Sequence, residues 1–301
     1  VLDNKQVAIL VPTTILAQQH YNNLAARFRD FPVQIGLMSR FKTKKEQQAT
    51  AEGLRKGKID IVIGTHRILQ DDLALRDLGL LIIDEEHRFG VKHKEKLKGL
   101  RKNVDVLTMS ATPIPRTLHM AMSGIKDLSI INSPPLDRLA VKTVVVKFSD
   151  DAIKKGITRE LERGGQVFFV HNYIHNIGIL YNHLKRLLPD TRIALAHGQM
   201  EGKVLEKIMI DFIGGKYDLL LSTNIIESGL DISNVNTICI NNAHRMGLAD
   251  LYQLRGRVGR STKQAYAYLL VPKDENLTHE ASVRLKIIEE ENPRSKAEAC
   301  K

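Results

Sequence analysis

Apolar residues fall along this chain in short continuous runs rather than in alternation. The first half carries "VAILVP" at 7–12, "IDIVIG" at 59–64, "LLIID" at 80–84 and "VDVLTMSA" at 104–111. Longer amphipathic stretches separate them, among them "TILAQQHYNNLAARF" at 14–28. Runs of this kind predict strands buried on both faces, and their alternation with helices predicts a parallel sheet covered on both sides. The pattern breaks at "NSPPLDRLAVK", 132–142. Two adjacent prolines there can continue neither a helix nor a central strand, so the segment reads as a linker.

The alternation restarts with "QVFFVHN" at 166–172, "IALAHG" at 193–198, "YDLLLSTN" at 217–224, "VNTICINNA" at 235–243 and "QAYAYLLVP" at 264–272. The halves also echo each other. "GKIDIVIGTHRIL" at 57–69 and "GKYDLLLSTNIIESG" at 215–229 each place Gly-Lys, an Asp, an apolar strand and a Thr-bearing loop in the same order. Any βα unit shares some of this, but the equivalent placement favours two related α/β domains. From Lys273 the chain turns charged, and "RLKIIEEENPRSKAEACK" predicts a helix followed by a frayed end. The expected division is a first domain over 1–135, a linker over 136–142, a second domain over 143–272 and a tail over 273–301.

Charge adds a partner class. Lys plus Arg number 45 against 34 Asp plus Glu, a net charge of +11. That excess suits a polyanion, with nucleic acid the leading candidate, although a generally basic surface would give the same sum. The two cysteines, Cys239 and Cys300, make no disulfide framework and fit a reducing, cytoplasmic setting. Cys239 lies in the apolar run "TICI" and reads as a core residue. No apolar stretch approaches the roughly 20 residues that span a bilayer, so no membrane partner is expected. The opening "VLDNKQVAIL" has no signal-peptide pattern and no initiator Met, which points to a chain cut from something longer.

The chemistry concentrates at strand ends. Asp84, Glu85, Glu86 and His87 follow directly on "LLIID". Ligands of parallel α/β sheets collect at the carboxyl ends of the strands. There Asp84 can hold Mg²⁺, which takes oxygen ligands, and Glu85 can orient and deprotonate an attacking water. His87 could report the state of a γ-phosphate. Taken alone, the cluster could equally be an acidic helix start favoured by the helix dipole. "SATPIPRT" at 110–117 follows the next strand, however, and "QLRGRVGR" lies at 253–260. On a helix Arg257 and Arg260 would share a face, with Gly256 and Gly259 permitting close backbone approach. Two such arginines suit a triphosphate.

"DEEH", "SATPIPRT", "STNIIESGLDI" and "QLRGRVGR", in that order, resemble motifs II, III, V and VI of the superfamily 2 helicases. "LVPTTILAQQH" at 10–20 and "GTHRIL" at 64–69 resemble motifs Ia and Ib. Within that superfamily the chain looks most like the motor region of the bacterial transcription-repair coupling factors. The RecG-type branch-migration helicases are the near relatives. The resemblance implies two RecA-like domains, each a mainly parallel sheet flanked by helices, the first truncated at its N-terminus. It implies an ATP- and Mg²⁺-dependent motor on double-stranded DNA. RNA polymerase and excision-repair proteins would be met through regions outside this chain.

By resemblance, Asp84 is the Mg²⁺-site acid and Glu85 the hydrolytic base. Ser110 and Thr112 couple nucleotide state to the DNA track. Gly229 and Asp231 approach the nucleotide, and Gln253, Arg257 and Arg260 complete the ATP site. Thr13, Thr14, Thr65, His66, Arg67 and Thr223 contact the DNA backbone, holding phosphates without reading bases.

One part is missing from the string. An ATP site of this type needs G-x-x-x-x-G-K-[ST] to cradle the phosphates. Gly57-Lys58 has Glu52 in place of the first glycine, Gly202-Lys203 has His197, and Gly215-Lys216 has Ile210. None qualifies. In the resembled family the loop lies just upstream of the first strand here, so Val1 is expected to begin shortly after it.

Overall fold

A computed structural model describes residues 1–70, 72–86, 89–90, 104–110, 127–131, 139–224, 232–273 and 277–290. The chain divides into two units, Val1–Ile131 and Asn132–Lys301.

In the first unit, β1 (Gln6–Leu10), β2 (Ile35–Met38), β3 (Ile61–Gly64), β4 (Leu78–Asp84) and β5 (Asp105–Met109) form one sheet in the order β2-β3-β1-β4-β5. Every pairing is parallel. Side chains of β1 alternate between two cores. Ala8 and Leu10 pack with Met38, Leu54, Val62, Leu81 and Ile83, while Ile9 and Val11 pack with Leu16, Ala17, Leu37 and Ile63. Burial on both faces explains why the strands read as unbroken apolar runs.

The connecting helices start on side-chain caps. α1 (Thr14–Arg27) begins at Thr13, whose hydroxyl accepts the Leu16 N–H at 3.3 Å. α2 (Lys44–Arg55) has a capping box, in which Thr43 Oγ1 accepts the Glu46 N–H at 3.2 Å and the Glu46 carboxylate accepts the Thr43 N–H at 2.8 Å.

In the second unit, β6 (Lys142–Lys147), β7 (Gln166–Val170), β8 (Ile193–Ala196), β9 (Leu219–Ser222), β10 (Val235–Asn241) and β11 (Tyr266–Val271) run in the order β8-β9-β7-β10-β11-β6. All these pairings are parallel too. This is the first sheet's order with one strand added at the far edge. Helices α3 (Asp150–Glu162), α4 (Ile174–Leu187), α5 (Gly202–Ile213), α6 (Leu248–Arg255) and α7 (His279–Glu290) accompany it. Cys239 sits among Phe169, Leu221 and Leu270, and burial pushes its thiol up to about 12, an inert core residue.

The sequence echo is repeated in atomic detail. The Asp60 carboxylate accepts the Gln34 N–H at 2.7 Å, and Asp218 accepts the Arg192 N–H at 2.9 Å. Each aspartate thereby ties the start of its strand to the chain entering the next strand outward. Gly57 and Gly215, two residues beyond the ends of α2 and α5, take left-handed φ values of 68° and 76°.

Two strands escaped the run-based reading. β2 is short and carries Gly36, and β6 has Lys at both ends and lies at a sheet edge. β6 begins at Lys142, inside the stretch read as linker. α7 covers that edge: its Glu289 carboxylate accepts the Val145 N–H at 2.9 Å, and Ala281, Leu285 and Ile288 are buried. A helix over an edge strand removes a template for unwanted pairing.

Candidate nucleotide and nucleic-acid site

Parallel strands put every carboxyl end of a sheet on one side, and the strand order decides what lies next to what. In the first unit Ser39 and Arg40 follow β2, Thr65 follows β3, and Thr13 lies just beyond β1. Asp84 ends β4, Glu85 follows it, and Ser110 follows β5. Ser39, Arg40, Thr65 and Thr13 thus occupy one half of the edge, and Asp84, Glu85 and Ser110 the other. The sequence order differs in one respect: Thr13 comes first along the chain, and the sheet order sets it between Thr65 and Asp84.

Asp84 pairs in the ladder with Met109, and Glu85 still donates its N–H to the Met109 carbonyl at 3.0 Å. Glu85 does so from φ 51°, a left-handed backbone that costs a non-glycine residue free energy. Its side chain is 4% exposed. Strained backbone at a buried carboxylate directly after a strand makes Glu85 a candidate functional position. His20, on α1, places Nε2 3.3 Å from Asp84 Oδ2. Sequence reasoning passed over His20, although it stands inside the "LVPTTILAQQH" motif.

Asp84 fits Mg²⁺. It offers carboxylate oxygens at a partly open strand end, and Mg²⁺ bound with substrate phosphates needs only one or two protein carboxylates beside its waters. Among the described residues no group of three or more His, Cys, Asp or Glu could hold a metal.

Thr13 is engaged as the α1 cap, and Thr14, the first residue of that helix, is 2% exposed. Thr65 is buried, and His66 opens a 3-10 turn, His66–Leu69. Arg67 is held by Asp72 through two hydrogen bonds of 2.6 Å each. The Arg67 guanidinium pulls the Asp72 carboxyl below its usual range. Arg40 and Lys42, in the loop after β2, and Lys44 and Lys45, at the start of α2, form a basic stretch outside the motifs named above.

In the second unit Thr223 follows β9, buried, with its N–H on the Ala196 carbonyl at 3.3 Å. Gln253 lies on α6. The helical face expected for Arg257 and Arg260 does not form. α6 ends at Arg255 with Gly256 as its cap, so both arginines lie beyond it. Gly259 then turns the chain with φ 76°, which stops the helix from resuming. Arg257 is 8% exposed, and Arg260 donates from Nε to the Gly256 carbonyl at 3.4 Å. Gly259 approaches its own unit: a Cβ there would stand 2.9 Å from Val141 Cγ2.

Sequence reasoning also missed His171, directly after β7. It is buried between Asn176 Oδ1, 2.7 Å from Nε2, and Asn241 Nδ2, 3.0 Å from Nδ1. Burial lowers its pKa, which keeps the ring neutral. A neutral ring with its proton on Nε2 satisfies both partners. The signal was present in "VHN" and "NNAHR", polar residues standing directly after apolar strands. His87, Thr112, Gly229 and Asp231 lie outside the described residues.

Comparison with known proteins agrees with this fold. The DEAD/DEAH box helicase family matches residues 1–121, and the helicase conserved C-terminal domain matches residues 149–262. The chain belongs to the superfamily 2 helicases. Among helicase relatives, the transcription-repair-coupling factor of Bacillus subtilis (strain 168) is 55% identical over 288 residues, 96% of this chain and 24% of that protein. The transcription-repair-coupling factor of Staphylococcus aureus (strain USA300) is 55% identical over 290 residues, 96% of this chain and 25% of that protein. This helicase chain therefore spans about a quarter of the length of the curated relatives it matches. Among solved helicase structures, RecG bound to a three-way DNA junction is 38% identical, with a TM-score of 0.79, covering 95% of this chain and 38% of that one. Dbp5 L327V of S. cerevisiae, bound to RNA and ADP BeF3, shares the fold at 16% identity and a TM-score of 0.68, covering 95% of this chain and 75% of that one. No helix among the described residues is long and apolar enough to cross a membrane.

Proposed function

We propose that this chain is the motor segment of a longer, cytoplasmic, ATP-driven double-stranded DNA translocase that acts in transcription-coupled repair and displaces stalled RNA polymerase. The observation that carries this reading is the 55% identity to transcription-repair-coupling factors across 96% of the chain. The division into residues 1–135, 136–142, 143–272 and 273–301 belongs to the same reading, as do contacts with polymerase and excision-repair proteins outside this chain.

The residues divide the work by chemistry. When bound, ATP would supply the phosphoryl group and Mg²⁺ would neutralise its charge, with Asp84 to hold the metal. Glu85 orients the attacking water and takes its proton, and its buried, fixed backbone keeps the carboxylate aimed. Arg257 and Arg260, with Gln253, stabilise the charge on the transferred group. Gly229 and Asp231 approach the nucleotide, and His87 responds to the γ-phosphate. Ser110 and Thr112 pass nucleotide state to the DNA track. Thr13, Thr14, Thr65, His66, Arg67 and Thr223 hold the DNA backbone through hydroxyls, amides and charge. Such contacts are indifferent to sequence and sensitive to salt.

A second reading concerns the chain by itself. None of its Gly-Lys pairs completes a phosphate-binding loop, which favours a DNA-binding module that does not hydrolyse ATP. ATP turnover should be measured with and without duplex DNA, at low salt, for the full-length gene product and for the 301-residue chain. The proposal expects DNA-stimulated turnover from the full-length protein, with ATP-dependent displacement of a third strand from a triplex and release of stalled polymerase. An inert full-length protein sinks it. Efficient processing of three-way junctions without polymerase release would replace it with a branch-migration motor.

A further inference from the structure

The loop that carries Arg260 is held from behind by a buried polar chain that ATP chemistry does not itself require. Ser261, the next residue, donates its hydroxyl to Asn236 Oδ1 at 2.6 Å. Asn236, at the start of β10, is fully buried, and its Nδ2 points to Glu160 Oε1 at 3.4 Å and to the Asn234 carbonyl at 3.3 Å. Glu160, on α3, is buried as well and accepts the Thr237 hydroxyl at 2.5 Å and an Arg163 guanidinium N–H. Lys263 returns to the same cluster, donating its N–H to Ser261 Oγ and its ammonium to the Arg163 carbonyl, each at 3.3 Å.

The chemistry fixes the direction of this chain. A buried carboxylate accepts only, so the Asn236 amide must turn its Nδ2 towards Glu160. That leaves Oδ1 for Ser261 and sets where the backbone beyond Arg260 can lie. On the other side, Gly259 packs against Val141, and Gln264 Nε2 reaches the Ala140 carbonyl at 2.6 Å. Arg260 thus stands between two anchored points, on a segment where no helix fixes its direction. A long side chain magnifies any turn of its own Cα. Fixing the backbone on both sides is the way a coil segment can present a guanidinium reproducibly.

We propose that Asn236, oriented by Glu160 and acting through Ser261, is a positioning residue for Arg260. The proposal rests on the reading of Arg260 as a residue that stabilises charge on the transferred phosphoryl group. A misplacement of about 1 Å at a reacting centre costs about 100-fold in rate. Removing the Ser261 hydroxyl should therefore lower the turnover number without weakening nucleotide or DNA binding.

The test uses the full-length protein with duplex DNA, and compares Ser261→Ala, Ser261→Thr, Asn236→Ala, Arg260→Ala and the double variant Ser261→Ala/Arg260→Ala. The expected result is a kcat for Ser261→Ala about 10- to 100-fold below wild type, with KM for ATP and DNA affinity within about twofold of wild type. Ser261→Thr, which keeps the hydroxyl, should recover most of the rate. The double variant should be no slower than Arg260→Ala. If Arg260→Ala is slow while Ser261→Ala turns over at the wild-type rate, the positioning role is wrong and the reading of Arg260 survives. If Arg260→Ala itself turns over normally, the reading of Arg260 fails and takes the proposal with it. Losses that multiply in the double variant, or a loss that Ser261→Thr does not recover, make the chain a stability element alone. Asn236→Ala should follow Ser261→Ala where it folds, and the Ser261 pair decides the matter where it does not.

Discussion

Gln6, at the start of β1, and Gln166, at the start of β7, hold the same place in their two sheets. Gln6 Nε2 donates to the carbonyls of Leu54 and Ile59 at 2.9 and 2.8 Å, and Gln166 Nε2 donates to those of Phe212 and Tyr217 at 2.7 Å each. Each glutamine closes the turn between a helix and the strand beside its own, and each is 4% exposed. Gln6 Oε1 then accepts the Arg76 N–H at 2.7 Å, while Gln166 Oε1 meets Asn234 Nδ2 at 3.4 Å. Replacing either glutamine by alanine would take the amide donor from the Ile59 or Tyr217 carbonyl, at a cost of about 1–3 kcal/mol. The Leu54 or Phe212 carbonyl would keep its backbone donor from Gly57 or Gly215. Denaturant unfolding should show a lower midpoint with an unchanged slope for both variants. A wild-type midpoint for Gln6→Ala would remove the amide from this anchoring role.

Glu85→Gln in the full-length protein should cut ATP turnover by about 100-fold or more while nucleotide still binds. The amide keeps the shape of the side chain and loses the basic oxygen. Single-turnover hydrolysis beside a nucleotide-binding titration separates the two effects. Near-normal turnover would take the base role away from Glu85.

His20→Ala should raise the Mg²⁺ concentration needed for half-maximal ATP turnover by about 10-fold. Without the ring beside Asp84 Oδ2, the carboxylate is free to rotate away from the metal position. An unchanged Mg²⁺ titration would make His20 a packing residue of α1.

Asp72→Asn should tighten binding to duplex DNA. The bidentate Asp72 grip occupies part of the Arg67 guanidinium, and its release turns that charge towards phosphate. The plot of log affinity against log salt should steepen by about one unit, as one more counterion is displaced. Weaker binding would instead mean that Asp72 holds Arg67 in its binding pose.

Glu46 gives a pH signature. Its hydrogen bond with Lys42, and then those with Thr43, lower its carboxyl from 4.5 to about 2. A depressed carboxyl stabilises the fold when ionised, so this contribution is complete above pH 4.5 and is lost as pH falls towards 2. Glu46→Gln retains a capping-box side chain and removes the charge. The gap in urea midpoint between wild type and variant should therefore be present at neutral pH and narrow below pH 4.5. A constant gap would assign it to hydrogen bonding alone.

Much of the site was legible because its residue types stand directly after apolar runs. "LLIID" running into Glu85 announces a strand that delivers a carboxylate, and "QLRGRVGR" announces arginines close to glycine. Other features were hidden for physical reasons. The spacing of Arg257 and Arg260 is compatible with a helix, but Gly256 caps α6 and Gly259 takes a left-handed φ, so the helix stops first. β6 was masked because its lysines suit an edge strand, and an edge is defined by the absence of a neighbour. His20 and Asp84 are 64 positions apart, and no local period links them.

The sequence by itself determined the alternation of strands and helices, the two-domain plan, the basic charge and the motif residues, including their family. These follow from local periodicity and residue chemistry, which a string carries in full. Only the tertiary structure decided the strand order that brings Thr13 next to Asp84 and sends Arg40 to the sheet edge. It also decided the left-handed backbone at Glu85, the grip of Asp72 on Arg67, and the buried chain from Glu160 to Ser261. Each is a pairing chosen by long-range burial and by the need to satisfy buried polar groups, and neither is written in the spacing of neighbours along the chain.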